Sequence, residues 1–276
     1  HGFSPEEVLY GSTLTGASIR DYLLALKDAG VGSLPGTSAE VFVDAVRQRI
    51  SPGRISIDNW IEVIQTAHEV GIPTTSTIMY GHIETARHRA IHLSVLRDVQ
   101  KRTGGITEFV PLSFVYEEAP MSHRQALPEL RHGASGAEVM KMYAVSRLML
   151  NNWIPNLQVS WVKEGPKLSQ IALLAGANDF GGTLINESIS TAAGAGYGQL
   201  MKPSQFRGLI REMSRIPAER STTYQKVRVF ETEDNHRDLL DEINDPAQRF
   251  GSYQNLIHLK DYRFRDFYKE QRSPKQ

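Results

Sequence analysis

Side chains able to do chemistry collect in four short stretches, each placed directly after an apolar run: SLPGTSAE (33–40), TIMYGHIE (77–84), FVPLSFVYEEAPM (109–121) and ANDFGGTLINESIS (177–190). Each puts Ser, Thr, Asn, Asp, Glu or His where a strand would run out into a loop, with Gly or Pro to shape the turn. In a parallel α/β barrel the reactive groups gather at those junctions. The plainer reading is helix capping, which the same residue types perform. His82 and Glu84, one residue apart, have the spacing of a metal pair, yet no third ligand follows at a recognisable interval. The adjacent Glu117 and Glu118 can shift each other's pKa and do acid–base work, or stand solvated on a loop. His88 and His92 are one helical turn apart but lack an HExxH context, and read as polar surface. Gly181-Gly182-Thr183 can turn backbone N–H groups toward a phosphate or carboxylate, or simply make a tight turn.

These junctions need a regular frame, and the chain alternates in a way that supplies one. Ile19, Tyr22, Leu23 and Leu26 recur at helical spacing before Gly30, and 39–49 reads as a second helix. Ser56 reads as the N-cap of a third helix, carrying Trp60, Ile61, Val63, Ile64 and Ala67 and closing near Gly71. The Thr- and Ile-rich 73–80 reads as a buried strand, followed by a helix over 84–102 and a strand over 107–116. The segment 117–135 shows no periodicity and reads as a long loop, a length more often functional than idle. A helix over 136–150, a strand over 156–162, a helix near 167–175, a short strand near 178–183 and a helix near 203–214 complete the alternation. Strand, helix, strand, helix is the α/β class, and right-handed crossovers make it a doubly wound sheet or a barrel. After about Phe230 the composition turns acidic and then aromatic-basic, so 231–276 reads as an appended helical segment beside a main unit of 1–230.

Composition sets outer limits. The 276 residues carry 31 Lys plus Arg against 31 Asp plus Glu, with none of the basic excess that marks a nucleic-acid partner. No apolar run is long enough to span a membrane as a helix. There is no cysteine, hence no disulfide, no thiolate zinc site and no iron–sulfur cluster ligated from within these residues. The sequence opens at His1 rather than Met and reads as part of something longer, which leaves targeting unreadable.

Six stretches together carry a resemblance: FSPEEV, GSLPGTSAEV, IPTTSTIMYGHIET, TEFVPLSFVYEEAPM, IPNLQVSWVKEGP and AGANDFGGTLINESIS. From His1 to about Tyr224 the chain resembles the second subunit, or C-terminal half, of FO synthase, within the radical S-adenosylmethionine superfamily. The resemblance implies a partial (β/α)8 barrel of about strands 3–8, lacking the CxxxCxxC region that holds the family's cluster, with an appended tail. The implied chemistry is a transfer. A 4Fe–4S cluster, ligated by cysteines outside this chain, cleaves S-adenosylmethionine, and the resulting radical takes a hydrogen from L-tyrosine. The tyrosine breaks at Cα–Cβ, and its 4-hydroxybenzyl group joins 5-amino-6-(D-ribitylamino)uracil. The other FO synthase subunit then closes the deazaflavin ring. Neither nucleic acid nor membrane enters, a cytoplasmic location is expected, and this chain alone is expected to be inactive.

Residue by residue, 77–84 resembles the family's GxIxGxxE motif along the adenine. Gly81 and Glu84 match, Met79 stands for Ile, and Thr77 replaces the first Gly. The resemblance adds Thr37 and Glu40 as cofactor contacts, Glu117 as the catalytic candidate, and Ser113, Tyr116, Asn178, Asn186 and Glu187 as substrate contacts. No metal ligand is expected from this chain. Menaquinone-pathway relatives, aminofutalosine synthase and dehypoxanthine futalosine cyclase, share the architecture and are the alternative. A barrel remnant acting only as a binding protein is a third reading.

Overall fold

The structure is a computed structural model and describes residues 1–123, 127–185, 187, 189–198, 200–232, 237–245, 248–249 and 251. Its helices are α1 (Pro5–Thr15), α2 (Ile19–Asp28), α3 (Asp44–Ile50) and α4 (Ile57–Glu69), followed by strand β1 (Thr74–Tyr80). Then come α5 (Ala86–Thr103), β2 (Ile106–Ser113), the single turn α6 (Pro120–His123), α7 (Gly136–Leu150) and β3 (Asn156–Leu157). α8 (Trp161–Ala172), the single turn α9 (Ile189–Ala192), α10 (Pro203–Glu212) and a hairpin of β4 (Ala218–Arg220) and β5 (Lys226–Val229) follow.

Local signals explain the element ends. The Ser56 hydroxyl accepts the Asn59 N–H at the start of α4, and a Ser135–Glu138 capping box opens α7. Gly104, at φ 69°, closes α5 in the left-handed region that only glycine enters cheaply. From α5, the Gln100 amide donates to the Ile106 carbonyl at 3.0 Å and accepts its N–H at 2.8 Å, fixing where β2 begins.

β1, β2 and β3 pair in parallel, with Tyr80 opposite Ser113 and Phe109 opposite Leu157. The ladder continues past both sides. Leu34 bridges Thr74, the Met79 N–H reaches the Glu40 carbonyl at 2.8 Å, and Gln158 bridges Asp179. Beyond 34–40, the Gly2 N–H donates to the Ser33 carbonyl. Successive parallel runs joined by helices make this an α/β protein. On one sheet face Ile78, Tyr80 and Phe109 pack with Trp60, Leu93, Leu96, Tyr143 and Trp161, all fully buried. Alternation puts Thr75, Thr77 and Met79 on the opposite face, in register with Glu108, Val110 and Leu112.

Several expectations are corrected. Residues 39–43 are not helical: Glu40 passes through the left-handed region at φ 48° with its carbonyl used by the sheet, and α3 starts only at Asp44. The guanidinium of Arg47 then folds back onto the Ala39 and Ile55 carbonyls. The strand expected over 156–162 stops at Leu157, since Trp161 already opens α8, which breaks at Gly165 (φ 76°) before Pro166. The strand near 178–183 shrinks to one bridge at Asp179. β2 ends at Ser113, and the expected 117–135 loop carries the α6 turn. α1 and the β4–β5 hairpin were not anticipated. Of 231–276, the described part forms a 3-10 turn at Leu239–Glu242, whose Asp241 carboxylate accepts the Ser204 N–H of α10. Most of the tail, 252–276, lies outside the described residues.

Candidate functional site

The C-terminal ends of the parallel runs carry an ordered turn at 81–84. Glu84 makes it. Its side chain has no exposure, and Oε1 accepts the Gly81 N–H at 2.8 Å, Arg89 Nε at 2.7 Å and an Arg131 nitrogen at 3.0 Å. Oε2 accepts the His82 N–H at 2.9 Å. Both arginines also reach Glu138 Oε1, at 3.0 and 2.7 Å. This four-membered network ties the turn to the starts of α5 and α7 and to the long loop. Burial raises the Glu84 carboxyl, but the Gly81 N–H and the guanidinium of Arg89 outweigh it and hold the group below the usual carboxylate range. Gly81 sits at φ 92°, and a Cβ there would come 2.6 Å from the Ala134 nitrogen. Glycine is required because the 131–134 loop lies on the turn.

His82 is buried and neutral: Nε2 donates to the Met79 carbonyl at 3.0 Å while Nδ1 accepts the Ile83 N–H at 2.8 Å. Burial lowers its pKa, consistent with that tautomer. Both ring nitrogens are therefore engaged, and the His82–Glu84 pair is a structural turn. The expected polar face of His88 and His92 is corrected too. His88 accepts the Thr85 N–H, whereas His92 is fully buried, stacked on Phe42 at 4.2 Å and pushed down to about 3 by burial. Gly181 belongs to a tight turn, its N–H on Asp179 Oδ1 at 2.6 Å.

Around the turn the other candidates divide. Thr37 is exposed and Glu40 and Met79 are half-buried at the ends of adjacent runs, an open polar edge. Burial raises the Glu40 carboxyl against the pull of Arg54 and Arg47. Tyr116 is half-buried and stacks on His132 at 3.9 Å. Glu117 is exposed and lies beside Gly194, while the neighbouring Glu118 N–H donates to Ala193 at 2.9 Å. Glu187 is half-buried and accepts the Ser190 N–H at 2.9 and 3.2 Å. The 114–118, 131–134 and 189–194 segments, with Glu187, thus gather on one rim.

Two candidates sit elsewhere. Ser113 is buried on the face of β2 that carries Tyr80, whose hydroxyl donates to Glu164 at 3.3 Å; burial raises the Glu164 carboxyl, and Ser113 is among the groups that pull it back. Asn178 lies level with the start of β3: its Oδ1 accepts the Leu157 N–H at 2.8 Å and an Arg147 nitrogen at 2.9 Å. Both support the frame. Asn186 lies outside the described residues. Sequence reasoning missed Arg89, Arg131, Glu138 and Glu164; apart from Arg89, five residues from Glu84, these partners are distant in sequence. The one local signal was the Ser135-x-x-Glu138 capping pattern.

A second polar cluster lies toward the strand starts. Arg220, from the hairpin, pairs with both Asp179 oxygens and comes 3.6 Å from Glu108 Oε1, with its guanidinium 4.3 Å over the Tyr224 ring. Burial, then the Asp179 charge, pushes Glu108 up to about 8 despite Arg220.

Comparison with known proteins follows this geometry. Residues 8–96 match the family model of the radical SAM superfamily, and residues 103–233 match that of the CofH/MqnC C-terminal region. The chain is 50% identical over 227 residues to the 5-amino-6-(D-ribitylamino)uracil–L-tyrosine 4-hydroxyphenyl transferase of Methanothermobacter thermautotrophicus, covering 82% of this chain and 61% of that protein. It is 49% identical over 225 residues to transferase 1 of that name from Methanococcus maripaludis, with 82% and 62% covered. The Methanopyrus kandleri protein of that name is 48% identical over 230 residues, with 83% and 62% covered. The chain thus spans about three-fifths of the length of these relatives.

Proposed function

The chain is a relative of the radical S-adenosylmethionine tyrosine 4-hydroxyphenyl transferases, and from that footing we propose that it forms the distal part of such an enzyme's barrel, about strands 3–8. There it takes part in joining the 4-hydroxybenzyl group of L-tyrosine to 5-amino-6-(D-ribitylamino)uracil. The observation that carries this reading is the 50% identity over 227 residues with a protein named for that transfer. On the same reading 1–230 is the barrel part and 231–276 an extension, in keeping with a family match that stops at 233. The adduct passes to the other FO synthase component, and the enzyme works in the cytoplasm. Among the described residues no helix is long and apolar enough to cross a membrane.

S-adenosylmethionine, when bound, supplies a 5′-deoxyadenosyl radical; this chain's residues bind, orient and exclude water. The open edge of Thr37, Glu40 and Met79 fits a nucleoside, with Gly81 beside it. Glu84 acts from beneath by holding the turn. The cluster does not fit these residues, which include no cysteine. We assign its ligands to the part of the relatives' length that this chain does not match. Tyr116, Glu117 and Glu187, with Asn186 from sequence, are the substrate side.

A chimera tests the reading: the N-terminal part of the Methanothermobacter relative joined to this chain. Under reducing conditions it should convert tyrosine and the ribityl uracil to adduct, with 5′-deoxyadenosine formed. Glu117→Gln should cut adduct while slow 5′-deoxyadenosine release continues. Turnover of a futalosine derivative instead of tyrosine would overturn the reading and favour the menaquinone branch.

A further inference from the structure

A cavity of about 1030 Å³ opens between α10, the β4–β5 hairpin and the 176–183 run. No residue of the 81–84 turn or of the 114–118 segment lines it. One wall is aromatic: Phe180 and Phe206 meet edge to face with ring centroids 5.6 Å apart, beside Leu173 and Ile210. Leu240 closes another side from the 3-10 turn, which Asp241 pins to α10 through the Ser204 N–H at 2.9 Å and Arg207 at 3.1 Å. That turn lies beyond residue 233, where the family match stops, so part of the site falls outside the family pattern.

Charge enters this space unevenly. Among the described residues four arginines line it against three acids, Asp179, Glu219 and Asp238, a net of one positive charge. Arg220 is committed to Asp179, and Arg207 reaches Asp241. Arg147, the third, meets only neutral oxygens: its three nitrogens donate to the Gly176 carbonyl at 2.8 Å, the Pro155 carbonyl at 2.9 Å and Asn178 Oδ1 at 2.9 Å. Those contacts fix the plane of the guanidinium and leave one N–H on each terminal nitrogen. Burial pulls its pKa down, with no acid to offset it. Arg215, the fourth, is exposed, and among the described residues its side chain has no hydrogen bond or ion pair. The Gly181–Thr183 turn, able by sequence to present N–H groups to a carboxylate, lines the same cavity. Trp161 Nε1 holds the Gly182 carbonyl at 3.0 Å, and among the described residues nothing accepts the Thr183 N–H.

We propose that this cavity binds an organic monoanion, a carboxylate carried on an aromatic body. Arg147 and Arg215 take the carboxylate, and the Phe180–Phe206 wall takes the ring. A fixed, partly buried cation without a counter-charge is costly, and a charge-assisted contact relieves that cost. The net charge of the lining decides the class. A carboxylate balances it, whereas a phosphate dianion exceeds it and meets the three acids. Apolar walls with a few polar anchors, at this volume, are the make-up of a small-molecule site. The site is separate from the rim and does not rest on the proposed transfer.

Equilibrium dialysis of the 276-residue chain at mildly alkaline pH tests this with three naphthalene probes: 1-naphthylacetate, the neutral 1-naphthylacetamide and the dianion 1-naphthyl phosphate. The acid should bind about tenfold or more tightly than the amide, as one good charge-assisted contact supports, and the phosphate no more tightly than the acid. Arg215→Met should lower acid affinity by about fivefold or more and leave amide affinity unchanged; Arg215→Lys should keep both. Asp241→Ala, which frees the Leu240 side, should weaken acid and amide alike. Equal binding of acid and amide by the wild type, or unchanged acid affinity in Arg215→Met, overturns the proposal. A phosphate bound more tightly than the acid overturns the monoanion class. The chimera with the N-terminal part of the Methanothermobacter relative supplies the last arm. If it no longer binds the acid, the cavity is a seat for that part and the proposal fails. A chimera that binds the acid but makes no adduct refutes the proposed function alone.

Discussion

Replacing Glu84 by Gln keeps the volume of the side chain and removes its charge, which isolates what the carboxylate does. Three donors converge on Oε1 and one on Oε2, so the best amide orientation puts its oxygen at Oε1 and its NH2 at Oε2. There it faces the His82 N–H, donor to donor, and that buried N–H loses its acceptor. An orphaned N–H costs about 1–3 kcal/mol. Arg89 and Arg131 also lose half of their carboxylate pairing, though Glu138 retains both. Removing one member of a buried pair costs about 3–5 kcal/mol, and Glu138 keeps this case near the lower end. At about 2–4 °C per kcal/mol for a chain of this size, the melting temperature should fall by roughly 10 °C. Thermal unfolding followed by circular dichroism, with Glu117→Gln as the exposed control, reads this directly. A Glu84→Gln melt within a degree or two of both wild type and control would refute the assignment of the turn to this network.

Three further outcomes follow from single contacts. Glu108 is raised from 4.5 to about 8, so the folded chain binds its proton more tightly than the unfolded one. That contribution is complete below about 4.5 and is lost as pH rises through about 8; the stability difference between wild type and Glu108→Gln, from urea melts, should decline across that window. Gly81→Ala forces a side chain into a left-handed backbone against Ala134, and should cost about 1–3 kcal/mol in the same melts. Asp241→Ala removes the cap on Ser204 and the pairing with Arg207, so limited proteolysis should cut between 231 and 245 faster than in the wild type, while the α10 core stays protected.

How much of this was legible in the sequence depends on the range of the forces involved. Helices announced by local chemistry came through: Ser56 capping α4, Gly104 closing α5, and α7 beginning at Gly136 as expected. α1 carries an equally local signal, Ser4 with Pro5 and a reciprocal Glu7. What periodicity mistook was 39–43, where Ala39, Val41 and Phe42 are buried as they would be in a helix. Hydrogen bonds from Met79 to the Glu40 carbonyl and from the Phe42 N–H to His92, both partners far along the chain, hold the non-helical path. The same limit shortened β3, because Trp161 is buried equally well from a helix turn as from a strand.

At the site, residue type was visible and direction was not. Glu84 and Ser113 fell in the right junctions, yet one points beneath the turn and the other behind the sheet toward Glu164. Strand alternation fixes this: in the β1–β2 register Tyr80 and Ser113 share a face, and Tyr80 belongs to the helix-side core, so Ser113 faces away from Thr75, Thr77 and Met79. A one-residue change in where β2 is taken to begin reverses that assignment, and the Gln100 clamp on Ile106, with the Thr74 N–H on the Gly105 carbonyl, sets it. Buried carboxylates are the informative case. An acid held by backbone N–H groups and arginines, as Glu84 is, shapes a loop, whereas the exposed Glu117 keeps its carboxylate at the surface of the rim. That asymmetry, more than proximity to a motif, separates the residues that build this rim from those offered to a ligand.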